Sequence, residues 1–326
     1  MSTEPSPFGF GGRLEATFPS QVGVDITEVC NLACVHCPHE EFRRSPHYAG
    51  RHLDPALNRK LVEEIREFGQ GRTVYLRYTG NGEPLLHPQG YEMVEHAVRN
   101  AGVSVSLTIN GTVLEEVRMR RLLEAGLHLI DVSIDAVRPE TYARIRVRGN
   151  LERTSAHVRQ LIAWAREAGR GTKVVVSFVE QPANAAEAGE FERVWREEGV
   201  ASVVIRRRHS CAGAKSGLAG ERREAAAARQ RYPCLYPWER IVLNARGDLS
   251  FCPADWVHGT VIAPYAGTTI RETWSGEFYR ALREAHRRND FSRHVHCGQC
   301  PDWEATRWPH QGRSYADMVG EFFPAR

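Results

Sequence analysis

The chain has 326 residues, 42% hydrophobic and 25% charged, enough for one large domain with a small one beside it or for two of medium size. Its 43 basic and 40 acidic residues leave a net charge of +3, so no nucleic-acid partner is implied. No run approaches the ~20 apolar residues of a membrane span, and residues 1–12 lack the apolar stretch of a secretory signal, so a cytoplasmic protein with no membrane partner is expected. In chain order, strands are expected at 22–27, 73–78, 104–109, 129–134, 173–178 and 203–206. Helical periodicity fills the gaps at 55–68, 91–100, 114–125, 139–146 with 151–167, and 187–198. Gly69, Gly102, Gly126, Gly169 and Gly199 stand where left-handed C-terminal caps belong. Six such βα units read as an α/β fold with a parallel sheet, over residues 1–210. A Gly-, Ala- and Arg-rich connector (211–231, helical over 221–231) leads to a second region at 232–305 and a tail at 306–326. The second region carries an expected hairpin at 241–251 and a helix at 275–288, but little apolar periodicity, so a metal centre is expected to stabilise it.

Eight cysteines in a reducing compartment point to metal ligands or catalytic thiols rather than disulfides. Cys30, Cys34 and Cys37 follow the first strand as Cys-x3-Cys-x2-Cys. Three thiolates so close can hold three irons of a cubane and leave the fourth open to a chelating substrate. Zinc held by the same thiols with His36 or His39 is the alternative, and a zinc-binding module without catalysis is the corresponding reading from another class. The run lies at the carboxyl end of a strand, where barrels place their chemistry. Gly80-Asn81-Gly82-Glu83-Pro84 follows strand two, Asn110-Gly111 strand three, and Ser133-Ile134-Asp135 ends strand four.

These motifs resemble those of the radical S-adenosylmethionine (SAM) superfamily, whose fold is a partial (β/α)6 barrel. The resemblance implies that Cys30, Cys34 and Cys37 hold a [4Fe–4S] cluster whose open iron binds SAM. Reduction, by a donor of flavodoxin or ferredoxin type, cleaves SAM to a 5′-deoxyadenosyl radical that abstracts hydrogen from substrate. It also implies that Gly82, Glu83 and Pro84 cradle the methionine amine, that Asn110, Ser133 and Arg146 lie near the ribose and carboxylate, and that the backbone of His36 touches adenine. Asn81 stands where the family places a glycine, and His36 where it places Tyr or Phe.

Cys234, Cys252, Cys297 and Cys300 suit a zinc knot or a second [4Fe–4S] cluster by spacing alone. Together with Trp238 and Gly247 they resemble the shortened SPASM, or twitch, extension of the same family, which implies one fully ligated auxiliary cluster. A fully ligated cluster cannot chelate substrate and is left with electron transfer or structural support. Members of that group act on small polar natural products, so a small-molecule substrate in antibiotic biosynthesis is implied. Dehydrogenation of a secondary alcohol on a sugar or aminocyclitol is the first reading. Epimerisation with Cys211 as hydrogen donor, redox-neutral dehydration or decarboxylation, and peptide modification are alternatives, the last disfavoured because no leader-binding domain is expected ahead of the barrel. Arg77, Tyr78, Asp135, Glu180, Arg206, Arg208 and His209, with Asp255 and Trp256, are expected to line the pocket.

Overall fold

The computed structural model describes residues 17–227, 231–303 and 315–323. The N-terminal stretch 1–12, positions 228–230 of the connector helix, and tail residues 306–314 and 324–326 lie outside them. Nine strands form one sheet: β1 (Gln21–Val24), β2 (Tyr75–Tyr78), β3 (Ser104–Ile109), β4 (Leu129–Ser133), β5 (Lys173–Glu180), β6 (Ser202–Arg207), β7 (Arg240–Leu243), β8 (Asp248–Ser250) and β9 (Val261–Pro264). The helices of the first region are α1 (His39–Arg44), α2 (Pro55–Phe68), α3 (Gly90–Asn100), α4 (Glu116–Glu124), α5 (Pro139–Ile145), α6 (Leu151–Ala168) and α7 (Ala188–Glu197). Six more follow: α8 (Ser216–Ala227), α9 (Tyr236–Glu239), α10 (Ile270–Ser275), α11 (Glu277–Arg288), α12 (Val295–Gln299) and α13 (Tyr315–Phe322).

The sheet order is β6-β5-β4-β3-β2-β1-β7-β8-β9, with β1 to β6 parallel neighbours in sequence order. This is the expected six-unit parallel core with helices between strands. Helix boundaries follow local chemistry. Asp54 caps α2 by accepting the Ala56 N–H, with Pro55 in the first turn, and Asn150 caps α6 through the Arg153 N–H. Gly169 ends α6 at φ 63° as a left-handed cap. Gly69 departs from that expectation, with φ −86°. Glycine is needed there for space, since a Cβ would lie 2.7 Å from the Ile65 carbonyl.

The second region also departs from expectation. Its hairpin does not form a core of its own; β7 pairs in parallel with β1, Gln21 opposite Arg240. Ile241, Leu249, Tyr265, Trp274 and Leu282 join the hydrophobic cluster that contains Val22, Leu76 and Val105. The apolar packing that looked thin in sequence is supplied by the barrel. The expected helix at 275–288 is α11, which starts two residues later because Gly276 is extended (ψ 173°), and a further short helix, α10, precedes it.

Along each strand, side chains alternate between the helices and the barrel interior. Tyr78 faces the helices, and its hydroxyl donates to Asn58 Oδ1 of α2 at 2.7 Å. Inside the barrel, Arg77 and Arg206 both reach Asp131 Oδ2, at 3.3 and 2.8 Å. At the amino ends of the strands, Met318 and Val319 of α13 pack on Tyr75, Leu129 and Val175 and fill the interior from below.

Candidate functional site: two cysteine centres joined by loops

The carboxyl ends of β1 to β6 carry the site. After β1 the chain turns through Cys30 to Cys37, and that loop is pinned to the end of α5: Ala33 N–H donates to the Val147 carbonyl and Val35 N–H to that of Ile145. Burial pushes the Cys30 thiol up to about 11 and that of Cys37 well above its ordinary value. The thiols therefore stay protonated at neutral pH, and a cation bound among them would displace their protons. Neither histidine joins the thiols. His36 lies between Asp135 (3.7 Å) and Gln181 (3.3 Å), held neutral by burial that lowers it to about 4. His39 Nε2 bonds the Glu28 carbonyl at 2.8 Å.

After β2, the Gly80–Glu83 loop lies against the β1 strand end. A Cβ on Gly82 would come within 2.2 Å of the Thr27 carbonyl, and one on Gly80 within 2.3 Å of the Asp25 carboxyl. Asp25 receives backbone N–H groups of Thr27, Asn81 and Gly82. Glu83 is 3% exposed, and its carboxylate accepts from Asn110 N–H at 2.7 Å and Leu85 N–H at 3.4 Å. Burial raises it to about 7 in spite of those donors. Pro84 starts a 3-10 turn directly behind it. Asn110 Nδ2 donates to Asn31 Oδ1 at 2.8 Å, so the β3 end is tied to the cysteine loop. Ser133 Oγ lies 3.3 Å from Ser177 Oγ on β5.

Arg146 is buried and grips Asp135 Oδ2 through Nε (2.7 Å) and Nη2 (2.6 Å), while its Nη1 lies 3.7 Å from Cys34 Sγ. Asp135 is therefore not pocket lining as expected. It is fully buried, accepts from Val179 N–H at 2.6 Å, and holds a left-handed backbone at φ 70°. Tyr78 likewise leaves the pocket for the helix layer, and the Asp255 carboxylate builds its own loop by accepting N–H groups of Val257, Gly259 and Thr260. Arg77 and Arg206 are engaged at Asp131, Arg208 lies 3.8 Å from Glu221, and Glu180 ends β5 exposed.

After β6, Ser210, Cys211 and Ala212 form a loop latched to Asp302: Ser210 Oγ donates to Oδ2 at 2.6 Å and Ala212 N–H to the same oxygen at 2.9 Å. Cys211 and Ala212 both adopt left-handed backbone, φ 54° and 57°. The Cys211 thiol is pushed up to about 12 by burial, and its sulfur accepts the indole N–H of Trp256. His209 Nδ1 accepts the Cys211 N–H at 3.1 Å. On the far side of this loop, Cys234, Cys252, Cys297 and Cys300 line one largely apolar cavity that extends to His209 and Ala212. Burial raises Cys297 and Cys300 to about 12.

Sequence reasoning missed Asp25, Asn31, Gln181 and Asp302. Asn31 and Asp302 each stand within two residues of a cysteine motif, which is the one signal that could have singled them out.

The radical SAM superfamily model matches residues 24–180, and an iron–sulfur cluster-binding domain, SPASM, matches 234–301. Residues 24–180 are a radical SAM domain. The chain also carries the SPASM-type second domain, and with the two the SAM, [4Fe–4S] and auxiliary iron–sulfur requirement; the zinc readings fall. A probable GTP 3′,8-cyclase of Methanococcus maripaludis (strain C5) is 34% identical over 139 residues, 43% of this chain. That match spans 44% of the relative's length, so the chain matches less than half of it. BtrN, solved in complex with AdoMet and 2-DOIA, shares the fold with a TM-score of 0.58 at 17% identity, over 86% of this chain and 92% of that one. Streptococcus suis SuiB bound to precursor peptide SuiA gives 0.63 at 13% identity, over 95% and 74%. Among the described residues, no helix is long and apolar enough to cross a membrane.

Proposed function

We propose that the chain dehydrogenates a secondary alcohol on a small polar, sugar-like substrate (an aminocyclitol, aminoglycoside or nucleoside-antibiotic sugar). Cys30, Cys34 and Cys37 hold the SAM-cleaving cluster, and Cys234, Cys252, Cys297 and Cys300 the auxiliary one. The observation that carries the reading is the set of four thiols around one cavity, beside the loop that follows β6. Four protein ligands leave a cluster no site for substrate and leave it electron transfer. When bound, the first cluster with SAM supplies a hydrogen-abstracting carbon radical, and the auxiliary cluster supplies a one-electron acceptor.

Overall, SAM and the alcohol give methionine, 5′-deoxyadenosine, the ketone and a proton. SAM is the two-electron oxidant, and the priming electron from a flavodoxin- or ferredoxin-type donor is regained at each turnover. Glu83 accepts the SAM ammonium, to which its buried carboxylate gives a counter-charge. Gly82 and Pro84 fix that loop, the backbone of His36 faces adenine, and Asn110, Ser133 and Arg146 orient the ribose and carboxylate.

Epimerisation is the second reading, favoured by one observation: a half-buried thiol, Cys211, in a left-handed backbone between the two cysteine centres. A thiol can return a hydrogen atom to a carbon radical from the opposite face. Mass spectrometry of product divides the readings. A dehydrogenase gives product two hydrogens lighter, and Cys211→Ala retains it. A mass-neutral product lost in Cys211→Ala would replace dehydrogenation by epimerisation. A cyclised product from GTP, run in the same assay because of the cyclase relatives, would replace both.

A further inference from the structure

The cavity of the four C-terminal thiols is bounded by three nitrogens with no hydrogen-bond partner among the described residues, His286 Nε2, His296 Nε2 and Arg231 Nε, and for His286 and Arg231 the bonding shows that the nitrogen is a donor. His286, from α11, is 3% exposed, with its ring held edge-on against Trp238 and Phe291 at centroid distances of 6.0 and 4.8 Å. Its Nδ1 accepts the backbone N–H of Cys234 at 3.4 Å. Accepting there requires a lone pair on Nδ1, so the neutral ring carries its proton on Nε2. That Nε2 is buried without a hydrogen-bond partner among the described residues. Arg231 lies over the Phe291 ring at 4.1 Å and donates through Nη1 and Nη2 to the carbonyls of Gly298 (3.2 Å) and Cys297 (2.5 Å). Its Nε is also buried without a partner among the described residues. A buried donor left unpaired costs ~1–3 kcal/mol, and folded proteins keep few of them. Both residues line the cavity with the thiols. Cluster and thiolate sulfurs are acceptors of the kind these donors lack.

We propose that His286 and Arg231 set the reduction potential of the auxiliary cluster, His286 by an Nε2–H bond to a sulfur and Arg231 by a fixed positive charge beside it. The inference rests on the assignment of that cluster to Cys234, Cys252, Cys297 and Cys300. Adding an electron makes the cluster more negative, so a donor and a cation stabilise the reduced form more than the oxidised form and raise the potential. The two residues thereby suit the cluster to take the electron that a hydroxyalkyl radical releases as it becomes a ketone and a proton. They are positioning residues and touch no reacting atom.

The test uses full-length, anaerobically reconstituted protein with Cys30, Cys34 and Cys37 replaced by Ala, so that the auxiliary cluster alone is read. A redox titration followed by electron paramagnetic resonance should give a lower midpoint for His286→Leu at unchanged iron and sulfide content. The expected change is about tenfold in the reduction equilibrium, or ~59 mV for one electron, as one hydrogen bond to a charged acceptor supplies. Arg231→Gln should shift the same way, and His286→Gln, which keeps an N–H, should lie nearer the parent. A proton coupling to the reduced cluster that is seen in ordinary water and lost in heavy water should be present in the parent and missing in His286→Leu. An unchanged midpoint with iron retained overturns the proposal. So does loss of iron in both His286→Leu and Arg231→Gln, which would make the pair builders of the site and not setters of its potential. A parent that takes up no iron at these four cysteines refutes the cluster assignment instead.

Discussion

Asp25 sits at the top of β1, buried, receiving three backbone N–H groups from the chain around it. Burial is the larger influence, and with the nearby Glu28 charge it raises Asp25 from 3.8 to about 7. The unfolded chain ionises this group near pH 4, and the folded chain only near 7. Folding is therefore uncharged for it below about pH 4, grows costlier as pH rises to about 7, and costs no more beyond that. At about 1.4 kcal/mol per unit the full effect is at most a few kcal/mol. Asp25→Asn should thus gain in thermal midpoint relative to the parent between about pH 5.5 and 7, then hold that difference to about pH 8. A difference that does not change with pH would remove the argument. The role of Asp25 was not legible in the sequence, because two of its three donors, Asn81 and Gly82, lie more than fifty residues away on another loop. Glu83 was legible through its motif. Arg146 was named for the SAM carboxylate, whereas its bidentate hold on Asp135 becomes visible only in three dimensions.

The loop after β2 is the element in which the departure from the family pattern acquires a physical reading. Asn81 Nδ2 donates at 3.0 Å to the carbonyl of Asp255, in the loop that follows Cys252. A glycine there could not make this bond. Asn81→Gly should lose the bond and stiffness together, about 1 kcal/mol for each, and weaken SAM binding roughly tenfold in equilibrium dialysis. Asn81→Ala separates the two contributions, and unchanged SAM affinity in both would show the tether idle. The parallel strands were legible because each is a short apolar run bounded by turn residues, and β3 was placed to the residue. The short pieces α1, α9, α12 and β9 were not. They are four to six residues long, and tertiary contacts such as Phe42 on Trp256 at 5.6 Å hold them where periodicity has no room to show.

Across the whole molecule, both regions share one sheet and one main apolar cluster, and α13 returns to seal the barrel at the end away from the cysteines. Val319 is fully buried in that plug. Val319→Asp should lower stability by on the order of 3 kcal/mol through an unpaired buried carboxylate, seen as a fall in thermal midpoint, with both cysteine centres still able to take up iron. An unmoved midpoint would mean that α13 does not fill the barrel. The sharing of the sheet bears also on how the chain is made. β1 lies between β2 and β7, so one of its edges waits for a partner encoded about 200 residues later. At ~5–20 residues per second the ribosome needs roughly 10 to 40 s to deliver it. For that interval a nascent barrel holds out an unpaired parallel edge beside its first cysteine motif, and it must be kept from other nascent chains until its own seventh strand emerges.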